Sequence, residues 1–375
     1  MPSLSAVCKT SNAVAKHFHQ LVITDIRAET DACVSVQFDV PPNLKEAFAF
    51  KAGQNITVRA MIDGEDLRRS YSICSSPLEN ELRIAVKKLE GGRFSSWINT
   101  QLKLGDSLEV LPPTGKFFTE LNPANKKHYI AFAAGSGITP LLSIIKTVLA
   151  TEAGSRFTLF YGNQHRAAII FREQLEGIKN TYMNRFALHH MLSRETTDSP
   201  LYQGRINEEK CMAIFKHLVQ LEDCDEFFLC GPQMMIAEVK SFLEKAGVES
   251  RKIHFELFTT PGNETAAGDQ PVLTSDTSSS EKQSTVTIRS DGIAFDISLP
   301  YHGASVLDAA LAAGADLPFA CKGGVCATCK AKLLMGEVHM DNNYALEPDE
   351  VKRGYILTCQ SHPRTQRLLV DYDQK

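Results

Sequence analysis

Hydrophobic residues fall into three textures along the chain. From about residue 18 to residue 120 they alternate with polar ones in short runs: LVITDI, CVSVQFDV, NITVRAMI, YSICSS and LRIAVKKL. Pro41-Pro42, Asp63-Gly64 and Gly91-Gly92 separate the runs. Period-two alternation marks half-buried strands, and several short strands at this spacing predict an antiparallel β-barrel over 18–120. Over 121–258 the apolar runs HYIAFAA, RFTLFYG, RFALHHML, DEFFLCG and HFELF are interleaved with helical stretches. Helices are expected from Thr139, over 171–178 and over 232–246. A β-α-β-α order predicts a parallel sheet with helices on both faces, an α/β unit.

A polar stretch follows, PGNETAAGDQPVLTSDTSSSEKQS, and 259–284 reads as a flexible linker. It has too few large apolar residues to offset the entropy of ordering. Over 285–375, TVTIRS and IAFDISL flank Asp291-Gly292, a dipeptide that favours a tight hairpin, and SVLDAALAAG reads as a helix. This third unit is expected to be α+β. No internal repeat is present.

Composition narrows the function classes. Lys+Arg 40 against Asp+Glu 44 leaves a net charge of −4, so nucleic acid is not the expected partner. The most apolar stretch, 129–145, is broken by Gly135, Ser136, Gly137, Thr139 and Pro140, so no membrane insertion is expected. The first residues carry no apolar signal core, which points to a cytoplasmic protein. In that setting the ten cysteines read as reduced thiols, some of them ligands. Cys8, Cys33, Cys74, Cys211, Cys224 and Cys230 are scattered; Cys321, Cys326 and Cys329 are bunched, and Cys359 stands alone.

The bunched cysteines have the spacing C-x4-C-x2-C, with the fourth after 29 intervening residues. This is the plant-type 2Fe–2S spacing. Two bridged irons need four thiolates, and Gly323-Gly324 lets backbone N–H groups approach the sulfurs. Zinc is the rival reading, although zinc sites usually pair one C-x2-C with another or with two histidines. Four buried structural cysteines are the bland reading. No Cys-x-His pair supports a Rieske site.

Two further constellations carry chemistry. Arg69-Ser70-Tyr71-Ser72 offers a cation, a ring to stack on and a hydroxyl, and Gly91-Gly92-Arg93-Phe94-Ser95 is a Gly-rich turn entering a helix. A helix N-terminus favours phosphate. Alone, each has an ordinary alternative as a strand residue or a hairpin. Gly135-Ser136-Gly137-Ile138-Thr139-Pro140 follows an apolar strand and opens a helix, with Pro140 suited to the first turn. It is not the dehydrogenase fingerprint: the third glycine is replaced, and no carboxylate ends the next strand. Ser193-Arg194-Glu195 alone is an ordinary solvated turn, but with that carboxylate missing a Ser-Arg pair can hold a 2′-phosphate through charge-assisted bonds, favouring NADPH over NADH. Cys230-Gly231-Pro232 ends another strand; alone it is a buried strand cysteine. His189-His190 are expected to pack rather than bind metal. Lys87-Lys88 and Lys126-Lys127 are expected to be solvated, or to help dock an acidic partner.

Taken in order, these motifs resemble the ferredoxin–NADP reductase family with a C-terminal plant-type ferredoxin domain. The resemblance implies FAD in the barrel, a nicotinamide in the α/β unit, and a 2Fe–2S cluster in a β-grasp domain held by Cys321, Cys326, Cys329 and Cys359. By the same resemblance Arg69 contacts the flavin diphosphate, Tyr71 stacks on the flavin and Ser72 lies near its redox-active nitrogen. Gly92 and Ser95 hold phosphates, and Phe258 lies near the flavin. Gly135, Gly137 and Thr139 form the pyrophosphate turn, and Cys230, Gly231 and Pro232 meet the nicotinamide. The layout implies the reductase component of a multicomponent oxygenase. Runs such as CKGGVCATCKAKLLMGEVHM further imply a di-iron oxygenase of phenylacetate catabolism as acceptor. A reductase for a ring hydroxylase, a desaturase or a hybrid-cluster protein, and a non-catalytic iron–sulfur carrier, are the alternatives.

Overall fold

The computed structural model describes residues 17–258 and 283–374. Its first unit is a six-stranded antiparallel sheet: β1 (His19–Thr30), β2 (Cys33–Asp39), β3 (Asn55–Ile62), β4 (Glu65–Ser72), β5 (Leu82–Lys87) and β6 (Ser107–Val110). The order is β4-β3-β6-β1-β2-β5, and a bridge between Ile73 and Ile84 ties the end of β4 to β5, closing a barrel. Leu21, Val36, Ile56, Val58 and Ile84 fill it, with Phe94 and Ile98 from α1 (Arg93–Thr100). The alternation of period two produces this interior. One strand differs from expectation. The sequence reading begins it at Tyr71, whereas β4 begins at Glu65. The turn Asp63-Gly64 has positive φ at both residues, 52° and 79°, and sets the hairpin register Ile62↔Glu65. The register draws the charged run EDLRR into the sheet, where Asp66 pairs with Arg59 and Arg68.

The second unit is a five-stranded parallel sheet of β7 (His128–Ala134), β8 (Arg156–Asn163), β9 (Phe186–Leu192), β10 (Glu226–Gly231) and β11 (Ile253–Leu257), in the order β11-β10-β7-β8-β9. Alternate residues of β7 feed two cores: Tyr129, Ala131 and Ala133 one, Ile130 and Phe132 the other. Burial on both faces explains why this strand reads as an unbroken apolar run. The helices are α2 (Ile138–Thr151), α3 (Arg172–Thr181), α4 (Glu208–His217) and α5 (Gln233–Lys245). Helix α4 has no counterpart in the sequence reading; Asn207 caps it by accepting from the Lys210 N–H at 2.8 Å. The first two units share a core, since Cys33, Ala52, Cys74 and Phe117 pack with α2.

The third unit is a mixed sheet of β12 (Gln283–Ser290), β13 (Ile293–Pro300), β14 (Lys330–Met335), β16 (Tyr355–Leu357) and β18 (Arg367–Asp371), with a small sheet of β15 (Val338–Met340) and β17 (Ser361–Pro363). Helix α6 (Val306–Ala312) packs Val306, Leu307 and Ala310 onto the larger sheet, and α7 (Pro348–Lys352) flanks β16. Asp291-Gly292 forms the expected tight hairpin between β12 and β13. Most of the expected linker lies outside the described residues, but Ser284 belongs to β12 and is fully buried. Among the described residues no helix is long and apolar enough to cross a membrane.

Candidate functional site

The chain order of the parallel sheet reverses between β7 and β10, so the turn after β7 sits at a topological switch point. There a 3-10 turn, Gly135–Gly137, leads into α2, and no side chain caps that helix. A Cβ on Gly137 would stand 2.1 Å from the Cys230 carbonyl oxygen, so only glycine lets the turn close onto β10. Thr139 Oγ1 donates to the Ser136 carbonyl at 3.1 Å and shapes the same turn. Lys87, at the end of β5, holds its Nζ 3.6 Å from where a Gly135 Cβ would be. A cation beside free helix-end N–H groups suits a phosphate-bearing ligand.

At the seam with the barrel, Cys230 on β10 lies opposite Glu256 on β11. Ser72 Oγ, from β4, donates to Glu256 Oε2 at 2.9 Å, and Asn55 Nδ2, from β3, donates to Oε1 at 3.4 Å. Burial pushes the Glu256 carboxyl up to about 7, although both donors pull it down; the nearby Cys326 adds to the rise. Burial also raises the Cys230 thiol well above the ordinary value, which removes it as a nucleophile at neutral pH. Gly231 and Pro232 lead from β10 into α5, and half-buried to exposed Phe258 directly follows β11.

Strand alternation puts Arg69 and Tyr71 on one face of β4, and Arg68, Ser70 and Ser72 on the other. The Tyr71 ring lies 6.1 Å from that of Phe94 on α1, so the two barrel motifs meet in space. Arg69 donates from Nη1 to the Arg68 carbonyl at 2.8 Å and is otherwise exposed. No side chain caps the start of α1. Ser95 Oγ donates to the Gly92 carbonyl at 3.2 Å and accepts from the Leu89 N–H, so this hydroxyl closes the turn that precedes α1. Ser193 and Arg194 follow β9, their N–H groups bonded to the carbonyls of Asn163, the last residue of β8, and of Gln164 after it. Asn163 Nδ2 is buried nearby.

In the third unit the four cysteines lie as two neighbouring pairs, Cys321 beside Cys326 and Cys329 beside Cys359. The first contact lowers the Cys326 thiol and the second lowers Cys359. Among the described residues no group of three or more His, Cys, Asp or Glu side chains is placed to hold a single metal ion. Two pairs suit two irons. Gly323 donates its N–H to Cys321 Sγ at 3.3 Å, as the glycine pair predicts. Lys322 and Ala327 both take positive φ, 53° and 54°, a strained course that turns this backbone in toward the thiols.

Three family descriptions match along the chain: an oxidoreductase FAD-binding domain over 21–119, an oxidoreductase NAD-binding domain over 132–241, and a 2Fe-2S iron-sulfur cluster binding domain over 288–364. One of the subunits of 1,2-phenylacetyl-CoA epoxidase from Escherichia coli is 45% identical over 96% of this chain and 98% of its own length. The chain belongs to the ferredoxin–NADP reductase family. It is an electron-transfer reductase with FAD, nicotinamide and 2Fe–2S modules, an NAD(P)H-dependent oxidoreductase. Another member, the ferredoxin reductase component of 3-ketosteroid-9-alpha-monooxygenase from Rhodococcus rhodochrous, is 32% identical over 94% of this chain and 96% of its own. Phthalate dioxygenase reductase, a modular structure for electron transfer from pyridine nucleotides to 2Fe–2S, aligns with TM-score 0.55 and 25% identity, over 94% of this chain and 98% of its own.

Within this family architecture, sequence reasoning missed Glu256, Asn55 and Lys87. Glu256, in β11, stands two residues before Phe258, so the motif that flagged Phe258 could have flagged it. Lys87 was expected to be solvated but faces the Gly-rich turn. Lys127 was too; it is part-buried and paired with Glu226 at 2.9 Å. His189 packs between Phe160 and Tyr202, as expected of a structural histidine. Burial lowers His190 to about 4, and both its ring nitrogens lack partners among the described residues.

Proposed function

We propose that the chain draws electrons from NADPH and delivers them to an oxygenase component, the di-iron phenylacetyl-CoA epoxidase. The observation that carries this reading is 45% identity over nearly the full length of both chains. The proposed divisions are a flavin barrel over 18–120, a nicotinamide domain over 121–258, a linker over 259–284 and a ferredoxin-type domain over 285–375. The reaction belongs in the cytoplasm, where the free thiols stay reduced.

Each side chain has a role in this reading. Gly135, Gly137 and Thr139, with the α2 N-terminus and Lys87, hold the dinucleotide pyrophosphate. Ser193 and Arg194 grip the 2′-phosphate. Cys230, Gly231 and Pro232 set the nicotinamide ring against the seam. Arg69, Gly92, Ser95 and the start of α1 hold the flavin phosphates, while Tyr71 and Phe258 flank the ring system. Ser72 and Glu256 hold a proton between Oγ and Oε2, ready to move as charge changes beside them. Cys321, Cys326, Cys329 and Cys359 hold the cluster. When bound, a flavin accepts two electrons as hydride and returns them singly to a one-electron cluster.

An anaerobic visible spectrum before and after NADPH tests the first half. Flavin and iron–sulfur bands should both bleach. Cluster bands without flavin, or no bleaching with either nicotinamide, would reduce the chain to a carrier. Addition of the epoxidase oxygenase with phenylacetyl-CoA and oxygen tests the second half by product formation. The 32% identity to a ketosteroid monooxygenase reductase supports a second reading, a different oxygenase acceptor, and failure of epoxidation with intact bleaching would favour it.

A further inference from the structure

Arg68 links the barrel to the third unit by several contacts at once. Arg68 projects from β4 on the same face as Ser70 and Ser72, yet is only 5% exposed. Asp66 fixes its guanidinium, accepting from Nη2 at 2.9 Å and Nε at 3.2 Å. That leaves Nη1 to donate to the Leu317 carbonyl at 3.2 Å and Nη2 to Asp316 at 3.3 Å, both across the junction. The Phe319 ring covers the guanidinium at 4.3 Å. Leu317 and Phe319 stand four and two residues before Cys321, so the contact holds the entry to the ligand loop.

The exit of the loop has its own anchor. Thr328, between Cys326 and Cys329, shares a buried hydrogen bond with Thr57 of β3 at 3.2 Å, and Thr57 also bonds Ser70 of β4 at 3.3 Å. Lys116 and Glu350 pair as a further contact between the units. The junction contacts are therefore hydrogen-bonded and ionic, unlike the apolar core that welds the first two units. Such a contact can seat a unit without fusing it.

We propose that Arg68 is a positioning residue for transfer between the flavin and cluster sites: it seats the thiolate loop against β4. This rests on the electron path proposed above. A planar, bidentate fork stacked on an aromatic ring fixes orientation in a way lysine cannot. The neighbouring Arg69 points to the opposite face and has no part in this contact.

The test uses the intact holoprotein and two variants, Arg68→Ala and Arg68→Lys. Anaerobic stopped-flow with NADPH separates flavin bleaching from cluster bleaching. Flavin bleaching should stay within about twofold of the parent, while cluster bleaching slows roughly tenfold or more in both variants, because small misplacements carry large rate penalties. Hydrogen exchange on the resting protein should rise at amides 317–328. Phe319→Leu probes the same contact from the other side should an Arg68 variant fail to fold. Parent-like cluster bleaching with parent-like exchange overturns the assignment. So does a loss confined to flavin bleaching, which would make Arg68 a flavin ligand. If the parent itself passes no electrons from NADPH, the electron-path reading fails, while exchange still reports whether Arg68 seats the loop.

Discussion

Burial gives Glu256 a titration that no local pattern announces. Its carboxyl is raised from 4.5 to about 7 by desolvation, against the pull of Ser72 and Asn55. A carboxyl that binds its proton more tightly when folded contributes most stability below pH 4.5, and loses it as pH rises through about 7. Glu256→Gln should therefore flatten the fall in Tm over that window, read by thermal melts at several pH values. On the proposed reading, nucleotide choice also rests on single residues. Ser193→Ala with Arg194→Ala should raise KM for NADPH roughly tenfold or more, with little change for NADH, since charge-assisted bonds to a phosphate are lost. Equal effects on both nucleotides would remove the assignment. The four cysteines could be read as ligands because their spacing carries the chemistry, whereas the roles of Ser72 and Cys230 came only from resemblance to the family. Asn55 was not legible, because its partner Glu256 lies 201 residues away and only the fold brings them together.

Elements were legible where one periodicity ruled. The apolar run of β7 and the strand–turn–helix that follows needed no tertiary information. β4 was misplaced at its start because its charged residues are stabilised across the hairpin, by Arg59 and the Asp63-Gly64 turn, rather than by an apolar face. Helix α4 escaped because it buries only Cys211 and Ile214, too few apolar positions to declare a stripe. The Gly-rich turn is the least forgiving element. Gly137→Ala would force a methyl to 2.1 Å from the Cys230 carbonyl and push β10 away from the seam. Overpacking of this kind costs about 1–3 kcal/mol. The variant should melt earlier and reduce its flavin more slowly with NADPH, while its iron–sulfur bands remain unchanged.

At the scale of the whole molecule, the third unit has its own core, built from Val286, Leu307, Leu357 and Tyr372 among others. Cluster chemistry is thus separable from hydride chemistry. Cys359→Ser should abolish the iron–sulfur bands yet leave flavin bleaching by NADPH near the parent rate; loss of both would show that the modules do not act independently. Domain order was legible from texture and motif order alone. The docking of the third unit was not, because nothing in the sequence sets Arg68 apart from its neighbour Arg69.

That placement bears on how such reductases are recombined. Strand β4 carries Arg69 and Tyr71 for one neighbour and Arg68 for another, one residue out of phase. A chimera cut between residues 258 and 283 would inherit a barrel whose outer face was matched to someone else's ferredoxin module. Splicing between relatives is better done by moving residues 57, 66, 68 and 116 together with the C-terminal module, treating part of the barrel wall as its cargo.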